Sequence, residues 1–133
     1  MAGRRSVHLP GVSHKAPIPA GAVVGGVLYS SAINGKDPAT GEYPDDAAGQ
    51  VANAFANMRA LVDAAGGTTD DIVRVTVFLR DRADRSHVDE HWLELFPDPD
   101  DRPARHAVEL GREGKALVQL EIVAVIGEGA SPT

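Results

Sequence analysis

Ala116-Leu117-Val118-Gln119-Leu120-Glu121-Ile122-Val123-Ala124-Val125-Ile126 is the stretch on which the fold turns. Its even positions are all apolar and, in a strand, share one face. Its odd positions are apolar too, apart from Gln119 and Glu121. The run reads as a strand buried on both sides, and its lone carboxylate needs a reason to be there, because an unpaired charge in a sheet interior is costly. Just upstream, Arg105 follows Arg102-Pro103-Ala104 within another strand-like run, Ala104 to Leu110, joined to the first by Gly111 to Gly114. A guanidinium and a carboxylate on adjacent strands form a site candidate; the competing explanation is an ion pair, within or between subunits, that only holds structure together.

Ile72 to Leu79 supplies a third strand, with Val73, Val75, Val77 and Leu79 expected on one face and Ile72, Arg74, Thr76 and Phe78 on the other. Before it, Val51, Ala54, Phe55, Met58, Leu61, Val62 and Ala65 recur at helical spacing. The pattern predicts a helix over Asp46 to Ala65, capped by Asp45 or Asp46 and ended by Gly66-Gly67. A second helix over Arg82 to Phe96 carries Val88, Trp92, Leu95 and Phe96 on one side and stops before Pro97. Nearer the N-terminus, Ala20 to Val24 and Val27 to Ile33 flank Gly25-Gly26, a hairpin signal. Ser6 to Val12 reads as a short edge strand interrupted by Pro10, followed by a Pro-rich loop from His14 to Pro19. The order strands, helix, strand, helix, strands implies an α+β single domain, one sheet with both helices on one face. The other face is then uncovered but apolar, and the expected result is self-association with Glu121 near the seam.

At 133 residues the chain fits one domain, with a core expected over about 16–126 and a flexible tail over 127–133. A net charge of −6 argues against a phosphate-tracking surface, so no nucleic acid partner is expected. The absence of cysteine removes disulfides, thiolate nucleophiles and Cys-ligated zinc, and fits a cytoplasmic protein. Met1 to Pro10 holds Arg4 and Arg5 with no apolar segment behind them, and no stretch approaches the ~20 apolar residues of a membrane span. His87-Val88-Asp89-Glu90-His91 matches H-x-x-E-H, a zinc-peptidase pattern, but it lacks an evident third ligand and reads as a solvent-facing helix edge.

Several dispersed motifs occur together: Val73-Arg74-Val75-Thr76-Val77-Phe78-Leu79, the turn Asp37-Pro38-Ala39-Thr40-Gly41, the helix end Ala64-Ala65-Gly66, Pro103-Ala104-Arg105, and Leu117-Val118-Gln119-Leu120-Glu121. In this order they resemble the RidA (YjgF-type) enamine/imine deaminase family. The resemblance implies a homotrimer of chorismate-mutase-like α+β subunits, with a ligand cleft at each subunit interface. The implied activity is hydrolysis of small 2-imino and 2-enamino acids to 2-oxo acids and ammonia, without metal or organic cofactor. It also implies Arg105 as the residue that grips the substrate carboxylate, Glu121 as the acid beside the attacking water, Ser31 at the cleft wall and a backbone N–H contribution from Ala107.

The chain departs from that pattern where Ile18 stands in place of an aromatic hydroxyl, Ala32 replaces a glycine and His106 replaces a small hydroxyl residue. A non-catalytic trimer that binds carboxylate metabolites is therefore the alternative. Alternation in the strand puts Ala107 beside Arg105 and sends His106 to the helix-covered face. His14, in the loop before Ile18, is a further candidate for the cleft rim.

Overall fold

The computed structural model describes residues 3–10, 16–111 and 114–127. Seven strands and two helices follow one another as β1 (Arg5–Val7), β2 (Gly21–Val24), β3 (Val27–Ser30), β4 (Ile33–Asn34), α1 (Ala47–Ala65), β5 (Ile72–Leu79), α2 (Arg85–Leu95), β6 (Ala104–Glu109) and β7 (Val118–Val125). The sheet runs β1-β2-β3-β7-β5-β6, with β4 also pairing with β7. Only β5 and β6 are parallel, α2 making the crossover between them, so the sheet is mixed. The run 116–126 becomes the hub: β7 is hydrogen-bonded to β3 and β4 on one side and to β5 on the other.

Each element has a local cause. The side chain of Asp46 accepts from the Gly49 N–H at 3.1 Å and caps α1. At the other end Gly66 turns left-handed (φ 98°), and the Gly66 and Gly67 amides close onto the Asp63 and Val62 carbonyls. Gly35 is small for a packing reason, since a Cβ there would run into the backbone of Gln50 on α1. Between α1 and β5, Thr68 and Asp71 form a capping box around a short 3₁₀ turn, Thr69–Asp71. A second 3₁₀ turn, Arg82–Asp84, accounts for the start of the expected second helix.

Two expected runs are reshaped. Val27 to Ile33 is two strands, because the hydroxyl of Ser30 accepts the Ile122 N–H at 2.8 Å and takes the place of a ladder bond where the chain steps from β3 to β4. In β5 a bulge between Ile72 and Arg74 changes the phase: Ile72 is buried with Val75, Val77 and Leu79, while Val73 is 49% exposed. The first strand ends at Val7, short of the expected stretch to Val12, whose last two residues lie outside the described ones.

Both helices cover one face. Val51, Ala54, Phe55, Met58, Leu61 and Val62 of α1 and Val88 and Trp92 of α2 meet Leu28, Val75, Val77, Val118, Leu120 and Ile122 of the sheet in one core. Phe55 stacks on His91 at 5.4 Å and joins the helices. On the uncovered face Tyr29, Val24 and Val125 stand in exposed positions. No helix among the described residues is long and apolar enough to cross a membrane.

Candidate functional site

Arg105 lies on β6, the terminal strand of the sheet, directly opposite Val75 of β5. Val75 points into the core, and facing positions on paired strands share a side, so Arg105 points toward α2. Its Nη2 donates to Asp89 Oδ1 at 2.8 Å, and its Cζ sits 5.1 Å from the centre of the Trp92 ring. Asp89 and Trp92 are three residues apart on one flank of α2 and hold the guanidinium by an edge and a face. Trp92 is itself fixed edge-on against Phe96 at 4.9 Å. Beyond Phe96, Arg102 donates from Nε to the Phe96 carbonyl at 2.8 Å, which folds the loop after α2 back and sets where β6 begins. The Arg105 side chain remains 19% exposed and Asp89 47% exposed.

This geometry corrects two expectations. Arg105 and Ala107 share the helix-side face, and His106 is on the open face, exposed, with its Nδ1 3.4 Å from Arg74 Nη2. The reason is legible in hindsight: Ala-Arg-His-Ala-Val-Glu has no apolar alternation, so the facing of β6 is set by its register with β5. Glu121 also stands exposed on the open face, opposite Thr76, which in turn is opposite His106. Within one chain, Arg105 and Glu121 are therefore on opposite sides of the sheet and not on adjacent strands as expected, because β6 pairs in parallel with β5, which lies between it and β7.

Ser31 and Ile18 belong to another edge of the molecule. The Ser31 hydroxyl donates to the Pro19 carbonyl at 2.8 Å, and its N–H donates to Ala20 at 2.9 Å. Both bonds pin the 16–20 loop, on which Ile18 is 49% exposed. β3 is three strand spacings from β6, about 14 Å across the sheet. One chain thus offers Arg105 and Ala107 at one end and Ser31 and Ile18 toward the other. His14 lies outside the described residues.

The H-x-x-E-H stretch is divided between unrelated contacts. His91 is taken up by Phe55, while His87 Nδ1 lies 3.9 Å from Glu90. Its third residue, Asp89, is the one that reaches Arg105. Reading the stretch for histidines missed it; the usable signal was a carboxylate three residues before an aromatic on the helix linking two parallel strands. Among the described residues, no three His, Asp or Glu side chains come together as a metal cluster.

Elsewhere a concavity is lined by Lys36, Tyr43, Gln50 and Lys115. Burial pushes the Tyr43 phenol up from its ordinary value, and Lys36 Nζ lies 5.4 Å from the Tyr43 ring centre.

A family described as Endoribonuclease L-PSP matches residues 15–126. The chain belongs to this family, the RidA family. Among RidA relatives, a protein named 2-iminobutanoate/2-iminopropanoate deaminase from Escherichia coli (strain K12) is 34% identical over 111 residues, covering 82% of this chain and 87% of the relative. Among solved structures, the Rid-family protein YyfA from Yersinia pestis has a TM-score of 0.85 at 27% identity, covering 93% of this chain and 100% of that one. TdcF from E. coli, solved with bound serine, has a TM-score of 0.82 at 27% identity, covering 91% and 98%. The single-domain RidA architecture, two helices on one face of a mixed sheet, is the one found here.

Proposed function

We propose that this RidA protein hydrolyses small 2-imino and 2-enamino acids to 2-oxo acids and ammonia, at sites shared between copies of a homotrimer in the cytoplasm. The observation that carries the reading is Arg105, a cation held by Asp89 and Trp92 on an edge strand with part of its surface free. A guanidinium has five N–H donors, more than Asp89 uses, and the remainder can grip a substrate carboxylate. That grip fixes the C=N carbon. Water adds to this carbon, the nitrogen takes up protons, and ammonia leaves as the C=O bond forms. The imine carbon is electrophilic already, so orientation supplies much of the rate and no cofactor is required.

Glu121 enters from a second copy. It points away from Arg105 of its own chain, so its proposed part, orienting or activating the water, requires the open face of one subunit to approach the β6 edge of another. The exposed Tyr29, Val24 and Val125 on that face support such an approach. Ser31 and Ile18, remote from Arg105 in one chain, would wall the cleft from the same second copy, with Ala107 offering its backbone N–H beside Arg105.

The alternative is a metabolite-binding trimer that holds carboxylates without turning them over. Bound serine in TdcF favours keeping it in view.

Ammonia release from imines generated by an amino-acid oxidase separates the readings. The wild type should accelerate release, Arg105→Ala should lose on the order of 10²-fold of that acceleration, and equal rates would defeat the deaminase assignment. Mixing Arg105→Ala and Glu121→Gln chains before refolding should restore part of the activity if the two residues serve one site across copies. Mixed trimers as inactive as either parent would disprove the sharing.

A further inference from the structure

Arg105 meets a carboxylate before any ligand arrives. Its Nη2 is 2.8 Å from Asp89 Oδ1, and Asp89 is the acid on the Arg105 side of the sheet that touches it. Arginine and aspartate together carry no net charge, and a Glu121 brought by a second copy would add only negative charge, so a bare carboxylate approaching Arg105 gains one attraction and meets at least one repulsion at nearly the same range. A ligand that carries a positive nitrogen on the carbon beside its carboxylate meets a matching dipole. Its carboxylate takes free N–H groups of Arg105, and its N–H groups face the half-exposed Asp89 carboxylate. Trp92, 5.1 Å from the guanidinium carbon, favours this placement of the guanidinium beside its partner.

We propose that Asp89 is a specificity-determining residue that makes the Arg105 site a reader of dipolar ligands, the protonated 2-imino acid or 2-amino acid, and a poor site for bare 2-oxo and 2-hydroxy acid anions. The inference rests on Arg105 being the carboxylate grip, and it adds a consequence for turnover. Hydrolysis removes the cationic nitrogen, so the 2-oxo acid product loses its attraction to Asp89 and keeps only the repulsion. The same residue favours substrate entry and product departure.

Serine and glycerate test this directly, because they differ at the second carbon by an ammonium against a hydroxyl. Calorimetric dissociation constants for both are compared in the wild type, Asp89→Asn, Asp89→Ser and Arg105→Ala, after thermal melting has identified which variants are folded. The wild type should bind serine more tightly than glycerate. Each folded Asp89 variant should move the glycerate-to-serine affinity ratio toward glycerate by about tenfold or more. A purely structural ion pair would weaken both ligands alike and leave the ratio where it was. An unchanged ratio, with both ligands lost in Arg105→Ala, overturns the role of Asp89 and leaves the grip standing. Unchanged binding in Arg105→Ala, or no binding of either ligand by wild type and Asp89 variants, overturns both.

Discussion

Helices α1 and α2 both direct polar side chains inward, and they use them in opposite ways. On α1, Gln50 is 1% exposed and Asn57 5% exposed, and both amide groups use their N–H donors within the chain. Gln50 Nε2 donates to the Pro44 and Lys115 carbonyls at 3.0 and 2.9 Å, and its Oε1 accepts the Leu117 N–H at 2.8 Å. Asn57 donates to the carbonyls of Asn34 and Lys36, both at 3.0 Å. These amides tie the loop after β4, the approach to α1 and the entrance to β7 onto one helix. On α2, Asp89 and Trp92 hold Arg105 at the edge of the sheet, partly open, with donors left over. Buried amides whose donors are all taken up inside the chain specify a fold. A partly satisfied cation at an unprotected edge has capacity for something that is not part of the chain.

Breaking the α1 side should show chiefly in stability. Gln50→Leu keeps the bulk but strands two carbonyls and one N–H in a buried setting, and the expected loss is about 3 kcal/mol in urea denaturation. A loss below about 1 kcal/mol would mean that water reaches those groups and that the clamp is not structural.

Breaking the α2 side should barely register by the same measurement. Arg105→Ala removes a cation–π contact and an ion pair whose Asp89 partner is half exposed, so solvent screening discounts the pair. The expected cost is about 1 kcal/mol, alongside the loss of ligand response described above. If Arg105→Ala destabilised the protein as much as Gln50→Leu, Arg105 would be a structural cation and the contrast between the two helices would collapse.

The two regions were also unequally legible beforehand. Apolar period predicted α1, α2, β5 and β7 and which side of β7 is buried, because burial imposes that pattern on sequence. The phase of β5 was misjudged at Val73, since a bulge leaves no mark in a run where every residue there suits a strand. Arg105 stood out as a charge in a strand, but its facing did not, because β6 borrows its orientation from β5. Asp89 carried half a signal: its spacing to Trp92 is local, but nothing local records that the strand after α2 returns beneath the pair. Gln50 and Asn57 sit among apolar positions of the α1 stripe, and the local pattern does not reveal that loops distant in sequence make use of them.

The smallest expected effect sharpens the comparison at its boundary, where Tyr43 shares a concavity with Gln50. Burial raises the phenol above its ordinary value of 10.0, so the folded protein holds this proton more tightly than the unfolded chain does. Below about pH 10 both states keep the proton and the full stability is present; above it the unfolded chain ionises first, and stability falls until the folded-state phenol also titrates. Tyr43→Phe has no proton to lose there. The two proteins should therefore differ by a constant few tenths of a kcal/mol through neutral pH and converge or cross only in the alkaline range. A difference that stayed flat through alkaline denaturation would place Tyr43 with the solvated residues of the Arg105 side, outside the sealed region that Gln50 organises.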